Sequence, residues 1–158
     1  FGDHRDLHSF PTRRSSDLYW IPDARGILCG LTRDTNRNQI VRAVLESVAF
    51  QSQDLFSSMK NDGLKPNLIK VDGGMIKNNW LSQFLADIIN ITVVRSKIND
   101  TTALGAAFMA GLGAGVYKSL NEISKNWKLD KKFRPKIIKK NRKELLKGWE
   151  KAIRTTLT

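Results

Sequence analysis

Residues 68–79 read Leu68-Ile69-Lys70-Val71-Asp72-Gly73-Gly74-Met75-Ile76-Lys77-Asn78-Asn79. Leu68 to Asp72 predicts a strand of about five residues, closed by the glycine pair. Two glycines at a strand end leave backbone uncovered by Cβ, so a flat ligand can come within contact distance. Asn78 or Asn79 then begins a helix from Trp80 to Ile89, with Leu81, Phe84, Leu85 and Ile88 on one face. Free N–H groups at the start of that helix point into the crevice beyond the carboxyl end of the strand, where α/β proteins bind nucleotides. Asn78 offers an amide to fix a ribose or base. A Gly-Gly turn by itself is equally a tight connection, and no G-x-x-x-x-G-K-[ST] loop occurs in the chain.

Working outward, Asn38 is placed to cap a helix running to about Met59. Its apolar residues Ile40, Val41, Val44, Leu45, Val48, Ala49 and Leu55 recur at three- and four-residue steps, and Asn61-Asp62-Gly63 with Pro66 ends it. After the second helix, Ile91-Thr92-Val93-Val94 predicts another strand. Asp100, Thr101 and Thr102 offer caps to a helix from Ala103 to Gly115, whose small-residue face lets a neighbouring element approach closely. The alternation of helix and strand argues for an α/β layer built on βα units. Residues 117–158 predict a short helix near Ser119–Asn126, an irregular basic stretch through Phe133-Arg134-Pro135, and a final helix near Asn141–Thr155. In that helix Leu145, Trp149 and Ile153 form one apolar stripe.

The chain has 158 residues, 41% hydrophobic, with 27 Lys+Arg against 15 Asp+Glu, a formal charge of +12. That composition supports a packed core without disulfides. Cys29 is the only cysteine, and the only histidines are His4 and His8, so a cysteine zinc cluster or a Ser-His-Asp centre is poorly supported. No apolar run reaches the ~18 residues of a membrane span, and no signal peptide is evident, so a cytoplasmic protein is expected. Fourteen of the basic residues but only four acidic ones fall in 117–158, so the charge excess is local.

Residues 1–18, FGDHRDLHSFPTRRSSDL, carry no sustained apolar pattern and are similar to translated sequencing-adapter read-through. They are expected to be a non-native or disordered leader, and the start at Phe1 suggests a piece of something longer.

From Tyr19 to about Arg154 the chain resembles the FGGY carbohydrate kinases. Gly26-Ile27-Leu28-Cys29-Gly30-Leu31, followed after seven residues by Gln39-Ile40-Val41-Arg42-Ala43-Val44-Leu45-Glu46, is similar to the family's C-terminal signature. YWIPDARG, VDGGMIKNN, TALGAAFMAGLGAGV and FRPK…GWEKAI resemble the glycerol-phosphorylating members in order and almost without gaps. The resemblance implies the C-terminal part of an actin/hexokinase/Hsp70-like, ribonuclease-H-like ATPase domain over residues 19–158, with 117–158 a basic helical tail. It assigns Gly73, Gly74 and Asn78 to the adenosine end of ATP. It implies MgATP-dependent phosphorylation of glycerol to sn-glycerol 3-phosphate, and a homo-oligomer, dimer or tetramer. The family's phosphate, glycerol and catalytic residues match positions upstream of Tyr19, so no residue here inherits a catalytic or metal-binding role, and the chain by itself is expected to be inactive. Gln39 stands for the family's usual His, and Asp100 for the usual Glu with Thr101 beside it.

Two other readings compete. A related sugar kinase, xylulokinase-like, would share every motif quoted, since the acceptor site lies elsewhere. A basic module for nucleic acid or an anionic surface would use residues 117–158, but their lysines and arginines fall on several helix faces without interleaved aromatics, so no nucleic-acid partner is expected. Asp72 is expected to cap backbone at its turn, Glu46 and Arg42 to form a helix-surface or interdomain pair, and Arg25 to anchor a turn. Trp20, Trp80, Trp127 and Trp149 are expected to be packing anchors, and Cys29 a small buried hydrophobe.

Overall fold

The computed structural model describes residues 8–9, 26–98 and 100–157. Trp20, Arg25, the aromatic segment 19–25 and most of the stretch read as a leader lie outside the described residues. Two residues of that stretch form β1, His8–Ser9, which pairs antiparallel with β2, Leu28–Cys29.

Polar caps decide where the helices begin. Asn36 accepts the Gln39 N–H at 3.1 Å while the Gln39 side chain accepts the Asn36 N–H at 2.7 Å. This reciprocal box starts α1, Arg37–Asn61, two residues ahead of the start expected from Asn38. Gly63, at φ +91°, turns the chain away after it. β3, Leu68–Val71, leads through a 3₁₀ turn, Met75–Lys77, into α2, Asn79–Ile89. Asn90 closes α2 in the left-handed conformation, φ 56°, so β4, Thr92–Ser96, starts almost at once. α3 spans Thr101–Gly113 and is capped by Asp100; α4 is Leu120–Ser124, capped by Ser119.

The segment read as irregular and basic is corrected by a strand, β5, Leu129–Phe133. It pairs antiparallel with β4, with a register shift between Arg95 and Ser96, while β3 pairs parallel with β4 from Leu68↔Thr92 to Val71↔Arg95. The sheet order is β3-β4-β5, and β3–α2–β4 is a crossover unit of the kind parallel strands require. The final helix, α5, is Lys139–Leu157.

α1, α2 and α5 close over the core. Phe50 is fully buried, stacked on Trp149 with ring centroids 5.2 Å apart and set edge-on to Phe84 at 5.7 Å. Trp149 also donates its indole N–H to Asp54 at 2.7 Å, so its polar end is satisfied where its rings are buried. Arg142 donates to the Ile88 carbonyl at 2.7 Å and to Gln53 at 3.0 Å, tying α5 to both other helices. Burial lowers the pKa of the Arg142 guanidinium. Asp87 accepts the backbone N–H groups of Lys136, at 2.6 Å, and Ile137, at 3.2 Å, which steers the chain from β5 into α5.

The expected faces hold in part. Leu81, Phe84, Leu85 and Ile88 are all buried, as are Trp149 and Ile153. In α1, however, Ala43, Ser47, Ala49 and Phe50 are the buried residues, whereas Val41, Val44 and Leu55 are exposed. The large ring of Phe50 orients the helix, and the three- and four-residue spacing of smaller aliphatics marked a second face. In α3 no residue is buried. The close approach its small residues permit occurs at Gly111, where an added Cβ would lie 2.9 Å from the Tyr117 ring.

Candidate functional site

The loop from Asp72 to Asn78 leaves the carboxyl end of β3. Gly73 sits at φ +96°, a conformation that an L side chain rarely adopts, and Gly74 is right-handed helical at φ −63°. A Cβ added at either glycine would meet nothing within 4 Å. Open space lies over both, so bare backbone is presented outward as the sequence predicts.

Asn78 is the N-cap of α2. Its Oδ1 accepts from Trp80 N–H at 2.9 Å and Leu81 N–H at 3.2 Å. This corrects the expectation of free helix N–H groups at the crevice, because the side chain of Asn78 has already satisfied two of them. With Oδ1 committed to the helix, the Nδ2 amide group is what Asn78 has to offer a ligand.

Asn78 and Trp80 line an open cavity of about 550 Å³ together with Arg37, Asn38, Val41, Arg42 and Leu45 from α1. Trp80 is 39% exposed, stacks on Phe84 with centroids 5.1 Å apart, and carries the Arg42 guanidinium over its ring at 5.4 Å. It packs on Phe84, as the sequence reading expected of a packing anchor, and its exposed side also forms a wall of the cavity. Arg42 also pairs with Glu46 at 2.7 Å, the helix-surface pair expected from the sequence. Burial pushes the Glu46 carboxyl above its ordinary value, against the opposing pull of hydrogen-bonded Arg42. Trp127 is half-buried and receives the Lys70 ammonium over its ring at 4.3 Å. Cys29 is half-buried, short of the full burial expected.

Two residues that sequence reasoning left out, Arg95 and Ser82, and one that it read only as a candidate cap, Thr101, hold the loop. Arg95, from the neighbouring strand β4, donates from Nη1 to the carbonyls of Ile76 at 2.6 Å and Lys77 at 3.1 Å, and from Nη2 to the Asn79 Oδ1 at 3.1 Å. Its Nε bonds Asp130 of β5 at 2.7 Å. The Ser82 hydroxyl donates to the carbonyls of Ile76 at 2.9 Å and Asn78 at 3.1 Å. Asp72, expected to cap backbone at its own turn, instead accepts the Thr101 hydroxyl from the first residue of α3. The available signal was the one charge in the otherwise uncharged run Ile91–Ser96; a cation in a half-buried strand needs partners.

The arrangement is an exposed glycine backbone, an oriented amide and an aromatic-and-guanidinium wall. It can hold a planar, hydrogen-bonding group against bare backbone, and Arg37 and Arg42 of the same cavity can meet a negative charge. Among the described residues no group of three or more His, Cys, Asp and Glu could hold a metal ion, and no helix is long and apolar enough to cross a membrane.

The chain is similar to known proteins over most of its length. Residues 7–114 match the C-terminal domain of the FGGY family of carbohydrate kinases. A glycerol kinase of Coxiella burnetii is 52% identical over 140 residues, covering 89% of this chain and 28% of that protein. The crystal structure of Plasmodium falciparum glycerol kinase with ADP superposes with a TM-score of 0.81 at 36% identity, covering 99% of this chain and 32% of the other. A ligand-bound xylulose kinase from Lactobacillus acidophilus gives a TM-score of 0.69 at 28% identity, over 93% of this chain and 29% of the other. The chain thus spans between a quarter and a third of the length of each protein it is compared with.

Proposed function

Because this chain belongs to the FGGY family of carbohydrate kinases, we propose that it forms the adenosine side of the ATP cleft in a protein that phosphorylates glycerol to sn-glycerol 3-phosphate. The observation that carries the nucleotide role is the open Gly73–Gly74 backbone beside Asn78, at the carboxyl end of a parallel strand. The glycerol acceptor rests on the 52% identity to a protein named glycerol kinase.

The chain's own residues bind and orient. The two glycines let the nucleoside lie against backbone, since no Cβ stands between them. Asn78 donates its amide to the adenosine end, and its Oδ1 bonds to α2 hold that donor in one direction. MgATP supplies the phosphoryl group that is transferred. On this reading the metal and phosphate ligands, the glycerol contacts and the carboxylate that takes the hydroxyl proton belong to the part of the relatives this chain does not span. The chain alone is then expected to give no turnover. A cytoplasmic homo-oligomer is part of the same reading, with free glycerol and ATP as its small-molecule partners.

The test is an assay of the protein this chain is part of on this reading, with MgATP and a panel of polyols and ketoses. Phosphorylation of glycerol is expected. Activity on a pentulose such as xylulose with none on glycerol would overturn the acceptor, and no ATP-dependent turnover of any acceptor would overturn the kinase reading. Turnover of glycerol by the 158-residue chain alone would show that its own residues carry the catalysis.

A further inference from the structure

The loop that presents Gly73, Gly74 and Asn78 has one apolar anchor, Ile76, packed against the core; Gly73 and Gly74 have no side chains, and Met75, Lys77 and Asn78 are exposed. The other ties on its shape are polar and come from elsewhere in the fold. Arg95 lies directly beside Val71 in the parallel register, behind the point where β3 ends. Its side chain is only 12% exposed, and the Phe133 ring lies 5.5 Å from the guanidinium carbon. From that position it bonds the carbonyls of two successive residues, Ile76 and Lys77, and the side chain of Asn79, while Asp130 balances its charge. Binding two consecutive carbonyls fixes two peptide planes immediately before Asn78. At the other end of the loop, Thr101 holds Asp72, the residue before Gly73.

We propose that Arg95 is the positioning residue of the nucleotide turn, with Thr101 as its counterpart at the strand end. This rests on the adenosine assignment above. Arg95 touches no nucleotide; it acts by holding the peptide planes that aim the Asn78 amide and the bare glycine backbone. The role requires a rigid, planar fork with several donors. A lysine supplies one ammonium centre on a flexible stem and cannot hold two peptide planes and Asn79 at once. Because the loop is oriented before ligand arrives, its disorder appears as a loss of nucleotide affinity.

The experiment uses the Coxiella burnetii relative with its matched residues replaced by the 140 of this chain, assayed as the parent hybrid, Arg95→Lys and Thr101→Val. In the parent, MgATP-dependent glycerol turnover is expected. Arg95→Lys keeps the charge for Asp130, so the KM for ATP should rise about tenfold while the KM for glycerol stays within about twofold. Thr101→Val, nearly isosteric, should raise the ATP KM about threefold, and Thr101→Ser should restore it. A merely structural role would lower thermal stability and total activity without separating the two KM values. An unchanged ATP KM in Arg95→Lys overturns the proposal. If Arg95→Lys does not fold, Thr101→Val decides, an unchanged ATP KM overturning the proposal and a raised one that serine restores supporting it. A folded parent hybrid without ATP-dependent turnover removes the nucleotide assignment and this inference together, whereas an active parent with unchanged variants removes only the inference.

Discussion

β3 and β4 run parallel, and each passes the chain to a helix capped by a short polar side chain, Asn78 for α2 and Asp100 for α3. From that shared start the two units diverge. α2 buries seven residues, among them Leu81, Phe84 and Ile88, whereas α3 buries none. The connection into α2 carries the open glycines and is tied by Arg95, Ser82 and Thr101; the one into α3 is short, and Thr101, the first residue of α3, reaches outward as a tie. A cap and a good helix-forming sequence suffice to start a helix. Presenting a binding loop in one shape takes a packed helix behind it and polar ties across strands.

The largest test of this contrast is Phe84→Ala, which removes a ring packed on both Phe50 and Trp80. It should cost about 3–5 kcal/mol in urea unfolding. A cost near that of a surface substitution would abolish the distinction between the units.

Next in size is the cap of α2. Asn78→Ala should lose about 1 kcal/mol of stability by thermal unfolding. Asn78→Asp keeps the acceptor for Trp80 and Leu81 but replaces the amide donor, so stability should stay near that of the parent while the hybrid's ATP KM rises. Equal ATP KM values for parent and Asn78→Asp would detach the amide from the nucleotide role.

On the second unit, Asp100→Ala removes the acceptor for Ala103 N–H and should cost about 0.5–1 kcal/mol. The loss should be read in hydrogen exchange of the first turn of α3, with α2 amides unaffected. Equal acceleration in both helices would mean that the two units open as one.

A pH series probes the α1 wall beside α2. Burial raises the folded pKa of Glu46 above its unfolded value, so the folded state binds that proton more tightly. Its contribution to stability is fully present below the ordinary glutamate pKa and is lost as pH rises through the folded value. Glu46→Gln should therefore gain on the parent in urea midpoint as pH rises from the ordinary glutamate pKa through the raised folded value. A pH-independent difference would place the carboxyl in ordinary solvent. The smallest effect is expected at Met109→Ala, on the open side of α3 at 53% exposure, within about 0.5 kcal/mol of the parent by urea unfolding. A loss comparable to Phe84→Ala would show that α3 is packed after all.

The units differ as well in how readily the sequence reveals them. α2 was legible because Leu81, Phe84, Leu85 and Ile88 share one face and a glycine pair sits ahead of it. β5 was not, because four of its five residues are exposed and only Phe133 is buried, so Leu-Asp-Lys-Lys-Phe lacks the apolar signal of a strand and reads as a charged linker. It is an edge of the described sheet, where charged residues are favoured because they discourage further pairing. Gly73, Gly74 and Asn78 stood out by residue type and spacing. Arg95 did not, and Thr101 stood out only as a candidate cap, because their role in the loop depends on partners 19 and 29 residues away, which only pairing of the strands brings together. Asn36 was overlooked for Asn38 although Gln39, three residues after Asn36, completes a capping box.

The bond between Trp149 and Asp54 joins residues 95 positions apart. During synthesis at about 5–20 residues per second, Asp54 and its neighbour Phe50 wait on the order of 5–20 seconds before the covering indole is made. Well before the end of that interval α1, α2 and both parallel strands have been synthesised, and the helix that closes them has not. The nascent chain therefore presents the Phe50 ring before Trp149 can cover it, and that interval is when a neighbouring chain has most to stick to.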